Sequence, residues 1–216
     1  MIDYDTPLTR IDWTPDLDMG QVMRANAMSI MNVEAADPRT RPILDELLGP
    51  PIGGWGLDMP YGAGGVSTCS MVALGLMRRA GIDCPDVCDG YADDIGSGMR
   101  VARNYARMLL PRPAWVTPIT GMIPHVGDVI DLCGPSNHTE TLIGWEFAND
   151  GTRLAVCIAG GQVGARGLQA IHRVKRPWTT RYARTYSGAR EVYGWLDVAL
   201  LGYRGQVTVP IGWEDA

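Results

Sequence analysis

The chain has 216 residues, 46% hydrophobic and 20% charged, a composition that buries one full core rather than staying disordered. Acidic residues number 24 against 19 basic ones, for a net charge of -5, and the basic side chains are scattered apart from Arg173, Lys175 and Arg176, which argues against nucleic acid as a partner. Apolar runs are short and interrupted and the start, MIDYDTPLTR, is acidic, so neither membrane insertion nor an export signal is expected, and the reading is synthesis in the cytoplasm without a signal peptide.

Taken in order, the first 50 residues form a helical N-terminal extension of a single domain spanning 1–216. Asp16 or Asp18 caps a helix carrying Val22, Met23, Ala27, Ile30 and Met31, and a second short helix covers Pro42 to Leu48. Residues 49–66 hold seven glycines and three prolines, the composition of a loop, with Trp55 and Tyr61 inside it. The two aromatics either pin that loop to the core or line a cleft, with Trp115 as a further wall. Ser67 and Thr68 then offer caps for an apolar-periodic helix with Val72, Leu74, Leu76 and Met77, stopped at Gly81. Another helix is expected from Met99 to Leu110. From Asp128 the pattern changes to short strands: Asp128 to Cys133, Thr139 to Trp145, Arg153 to Ala159, Leu168 to Arg173 and Val192 to Leu196. Helices first and a strand meander afterwards predict an α+β fold with an antiparallel sheet.

Cys69 falls in the first turn of its helix, where unpaired backbone N–H groups and the positive end of the helix favour a thiolate. His138 opens the strand after a loop of Gly, Pro, Ser and Asn. If the Cys69 helix crosses the sheet, its start lies over His138, and an imidazole at hydrogen-bond reach takes the thiol proton and later returns it to a leaving group. A third polar group should orient the ring. Gln162 follows Gly160 and Gly161, two residues that permit a sharp turn at the end of the next strand, and is the first choice, because it approaches the ring from a neighbouring strand; Glu140, two residues from His138 on the same face, is the alternative. His125 and His172 read as surface or core-edge residues. A rival site uses Cys84, Cys88, Cys133 and His138 as zinc ligands, with loose spacings that leave Cys69 unexplained, and a local Cys84–Cys88 disulfide is a further alternative. The reading needs neither metal nor cofactor.

With Cys69 at a helix start, His125-Val126-Gly127-Asp128-Val129 before the hairpin, His138 opening a strand and Gly160-Gly161-Gln162 after the third, the chain resembles the NlpC/P60 and CHAP superfamily of papain-like cysteine peptidases and amidases. Cys69, Asp128 and His138 match that family's order over residues 55 to 175. Gly160-Gly161-Gln162 is similar to a Gly-Gly-Asn-Gln run of one branch but lacks the Asn, and Thr68 and Ser70 flank the cysteine where many members carry an aromatic, Asp or Ser. The resemblance implies a papain-like α+β fold, with the nucleophile helix packed on an antiparallel β-sheet. It also implies cleavage of amide bonds in peptidoglycan stem peptides through an acyl-enzyme. Such an enzyme acts in the periplasm or at the cell wall after delivery by other machinery, with an immunity or carrier protein as companion. The alternatives are a non-catalytic structural or interaction protein of the same fold, and a protease or acyltransferase with a non-wall substrate.

Overall fold

The computed structural model describes residues 18–48, 68–82, 102–103, 106–107, 113–119, 122–134, 138–181 and 184–204. Helix α1 (Met19–Ser29) is capped by Asp18, whose carboxylate accepts from the Gln21 backbone N–H at 3.2 Å. Helices α2 (Arg41–Leu48) and α3 (Cys69–Arg79) follow, and a last helix, α4, covers Val198–Arg204. Between α3 and α4 lie seven strands: β1 (Trp115–Val116), β2 (Val129–Cys133), β3 (His138–Phe147), β4 (Arg153–Val163), β5 (Gln169–Arg181), β6 (Arg184–Ser187) and β7 (Arg190–Leu196). Among the described residues no helix is long and apolar enough to cross a membrane.

The strands do not form the open sheet of the expected papain-like α+β arrangement. Antiparallel pairing runs β7-β2-β3-β4-β5-β6, and β6 returns to β7 through Tyr186 with Glu191 and Ser187 with Arg190, so six strands close into a barrel. β1 adds to β7 beside Leu196 and Trp195. The closing segment escaped the sequence reading because residues 174–187 are polar and charged and carry Pro177, which ordinarily argues against a strand. Here Pro177 pairs with Leu154, and its carbonyl accepts from the Gly188 N–H at 2.8 Å, so a long β5 passes through it to reach β6.

Alternation along each strand divides the apolar residues between two cores. Ile130, Leu132, Leu142, Cys157, Trp178 and Trp195 pack together inside the barrel. Val129, Ile143, Val156, Ile158 and Leu196 point the other way and meet Met23, Leu47, Val72 and Leu76 of the helices. Each buried Leu or Ile contributes roughly 1.5–3 kcal/mol, so helices and barrel wall form one stability unit.

The Gly-Asp turn is a strut between distant parts of this unit. Asp128 is buried, and its two carboxylate oxygens accept from the backbone N–H of His125 at 2.8 Å and of Val198, at the start of α4, at 3.1 Å. Burial, and then the nearby charge of Asp197, push its pKa up to about 8 against the pull of these two N–H groups.

Gly160 was expected to allow a sharp turn at the end of a strand, yet β4 continues through it to Val163. A Cβ on Gly160 would lie 2.6 Å from Cγ2 of Val72 and 3.3 Å from the carbonyl oxygen of Thr68, so the missing side chain lets the first turn of α3 rest on β4. Gly161 takes φ 64 in the irregular stretch that shifts the β4–β5 register between Ala159 and Gln162. Gly160→Ala should therefore lift the start of α3 from the barrel. The expected cost is about 1–3 kcal/mol in urea unfolding, with a loss of Cys69 reactivity larger than the stability loss accounts for.

Candidate functional site

Three ties fix the start of α3 over the barrel. Thr68 occupies the N-cap position but caps nothing with its side chain; its hydroxyl donates instead to Oε1 of Gln169, on β5, at 3.1 Å. Ser70 and Thr139, both buried, share a hydroxyl–hydroxyl hydrogen bond of 3.2 Å that joins α3 to β3. The third tie is the contact of Val72 with β4 over Gly160. Between these anchors Cys69 has little freedom, and its Sγ is delivered to the end of β3.

His138 is the first residue of β3 and hydrogen-bonds Cys69. Its Nε2 lies 3.2 Å from Oε1 of Glu140. Period-two alternation puts His138, Glu140 and Leu142 on one face, the face that fills the barrel at Leu142, and Thr139 on the other, toward Ser70. The three members are enclosed, with Cys69 4%, His138 6% and Glu140 1% exposed. Burial acts to lower the His138 pKa, but hydrogen bonds and charge interactions with Cys69 and Glu140 outweigh it and raise the imidazole to about 9. For Glu140, burial acts upward, and the His138 hydrogen bond together with the Arg176 charge brings the carboxyl below its ordinary value. The arrangement is an imidazole with a thiol as one partner and a carboxylate at its Nε2.

The meeting of Cys69 and His138 was legible in their order along the chain, and the structure brings the two together. Of the two candidates for orienting the ring, Glu140 is the residue found at Nε2. Gln162 has its backbone on β4, opposite Ala170, and its side chain lies outside the described residues. Residues two apart on an extended strand share a face, so Glu140 meets the ring without leaving β3. Trp55 and Tyr61 also lie outside the described residues. Trp115 is 6% exposed, packs against Gly194 and is flanked by the guanidinium groups of Arg103 and Arg107, 5.7 and 5.5 Å from its ring centroid.

The other cysteines have different surroundings. Cys157, on β4, is fully buried beside Glu140, and burial and then that carboxylate push its thiol well above the ordinary value. Cys133 donates to the Glu191 carbonyl at 3.6 Å, and its thiol is also raised, by burial first and then by Glu191 and Asp131. Cys84 and Cys88, the other half of the zinc alternative, lie outside the described residues. Among the described residues no group of three or more His, Cys, Asp or Glu side chains is placed to hold a metal.

The residue that sequence reasoning missed is Arg176. Its Nε donates to Oε1 of Glu140 at 2.6 Å, from β5, and nothing local to His138 signals it. Compared with family models, with curated proteins and with solved structures, the chain matches none.

Proposed function

We propose that this chain is a cysteine hydrolase acting on amide bonds through an acyl-enzyme on Cys69. The observation that carries the reading is the buried group Cys69–His138–Glu140, in which the imidazole touches the thiol and a carboxylate holds its Nε2. In the reaction His138 takes the thiol proton through its other nitrogen, and the sulfur attacks the amide carbon. The first-turn N–H groups of α3 are the donors placed for the oxyanion. The C–N bond breaks as imidazolium returns the proton to the leaving amine. Water, deprotonated by His138, then attacks the thioester and releases the acid and the thiol.

The order of Cys69, Asp128 and His138, similar to that of NlpC/P60 and CHAP enzymes, supports the peptide stem of peptidoglycan as substrate. The enclosure of Cys69 favours a second reading, a structural thiol–imidazole pair in a protein that binds rather than cleaves. Digestion of purified peptidoglycan with the parent and with Cys69→Ala, followed by mass analysis, separates the cases. New amine termini within the stem identify a peptidase, and release of the whole stem from the sugar an amidase. Absence of any Cys69-dependent product removes the wall substrate and leaves a non-wall hydrolase or the structural pair.

A further inference from the structure

Glu140 is a carboxylate taken out of water, with a side chain 0% exposed. A buried carboxylate with no cationic partner takes up a proton, and a neutral acid would orient His138 without stabilising its charge. The groups around it come from three strands: His138 on its own strand, Cys157 on β4 and Arg176 on β5. Cys157 is a thiol whose surroundings disfavour the anion, and the charge of His138 itself depends on Cys69 and on Glu140. Arg176 is the permanent cation of the set. It shares Oε1 of Glu140 with His138, at 2.6 Å against 3.2 Å, and its side chain is 26% exposed, so it is less enclosed than the carboxylate it holds. The β6–β7 turn lies along its stem, where a Cβ on Gly188 would stand 3.8 Å from the Arg176 methylenes.

We propose that Arg176 is a positioning residue for the Cys69–His138 pair: it fixes Glu140 as a carboxylate against Nε2 of His138 and so favours the thiolate–imidazolium form of the nucleophile. The role deepens the hydrolase reading and rests on it. Arg176 acts through Glu140, its hydrogen-bond partner, from the strand whose Gln169 also anchors Thr68 at the start of α3.

The test is the pH profile of Cys69 alkylation by iodoacetamide, followed by mass analysis of the Cys69 peptide and requiring no substrate. In the parent, Cys69 should react at pH 6 at least about tenfold faster than a free cysteine, whose thiolate forms near ~8.5. Arg176→Met should move the acid limb upward by about one pH unit, a roughly tenfold slower reaction at pH 6, and Arg176→Lys should restore most of the rate. Glu140→Gln should shift the profile in the same direction, and adding Arg176→Met to it should change nothing further. This double variant leaves no unpaired buried carboxylate, so it keeps the comparison available if Arg176→Met alone does not fold. A profile for Arg176→Met that superimposes on the parent's, or a further shift in the double variant beyond Glu140→Gln, overturns the role of Arg176. A parent whose Cys69 reacts no faster than a free thiol overturns the hydrolase reading itself, and this inference with it.

Discussion

Cys69→Ala is expected to reduce hydrolysis to background, a loss on the order of 10⁴ or more, while the chain stays folded. The substitution removes one sulfur atom at the start of a helix whose anchors belong to other residues: Thr68 to Gln169, Ser70 to Thr139, and Val72 to β4. None of these contacts uses the Cys69 side chain. The thermal midpoint should therefore move by only a few degrees, about what 1 kcal/mol produces in a chain of this size. Activity and unfolding measured on one preparation check both halves. Hydrolysis within about tenfold of the parent would remove Cys69 as nucleophile, and loss of the fold would show that its enclosure is structural.

The second large effect belongs to His138 and is read in stability against pH. An imidazole that holds its proton to about 9 in the folded chain, against 6.5 unfolded, contributes stability that is fully present below pH 6.5 and is lost as pH rises toward 9. The size of that contribution is roughly 3 kcal/mol. Asp128, raised to about 8 from 3.8, adds a loss in the same direction between those values, but it is common to the parent and to any His138 variant. Because a Cys69 thiolate would offset this loss, the measurement belongs in a Cys69→Ala background, where adding His138→Ala should change the urea unfolding free energy by an amount that shrinks as pH rises above 6.5, the part of the effect that Glu140 supplies. A difference that stays constant between pH 6 and 9.5 would show that Glu140 does not hold a charged His138 in the folded state. His138→Ala should also slow hydrolysis by about 10²- to 10⁴-fold.

Local signals carried α1, α2 and α3 and most of the strands, while α4 was not expected and most of the helix expected from Met99 to Leu110 lies outside the described residues. Asp18, the apolar spacing of α1 and α3, and the glycine stop at Gly81 have short-range physical causes, and their elements appear within a residue or two of expectation. The barrel was not legible, because closure depends on which edge β6 finds, a non-local choice that the polar sequence around Pro177 conceals. The same limit applied to the site. Cys69 and His138 could be read from their positions on a helix start and a strand start. Glu140 was visible but ranked behind Gln162, which was placed on the neighbouring strand; the cation that holds Glu140, Arg176, lies 36 residues farther along the chain and reaches it only once β5 is in the wall. Gly160 was singled out for the wrong reason: its neighbours in sequence suggested a turn, and its neighbour in space is Val72.

On the proposed role of Arg176, the order in which the strands are made bears on when Cys69 becomes reactive. Cys69 and His138 leave the ribosome well before Arg176, and β7, which seals the wall against both β2 and β6, is later still. Such long-range pairings form late in folding. A nascent or truncated chain ending before β5 has the thiol and the imidazole but no cation at the carboxylate between barrel and base. On the role proposed for Arg176, a chain ending before β5 should carry a Cys69 that alkylates no faster than a free thiol.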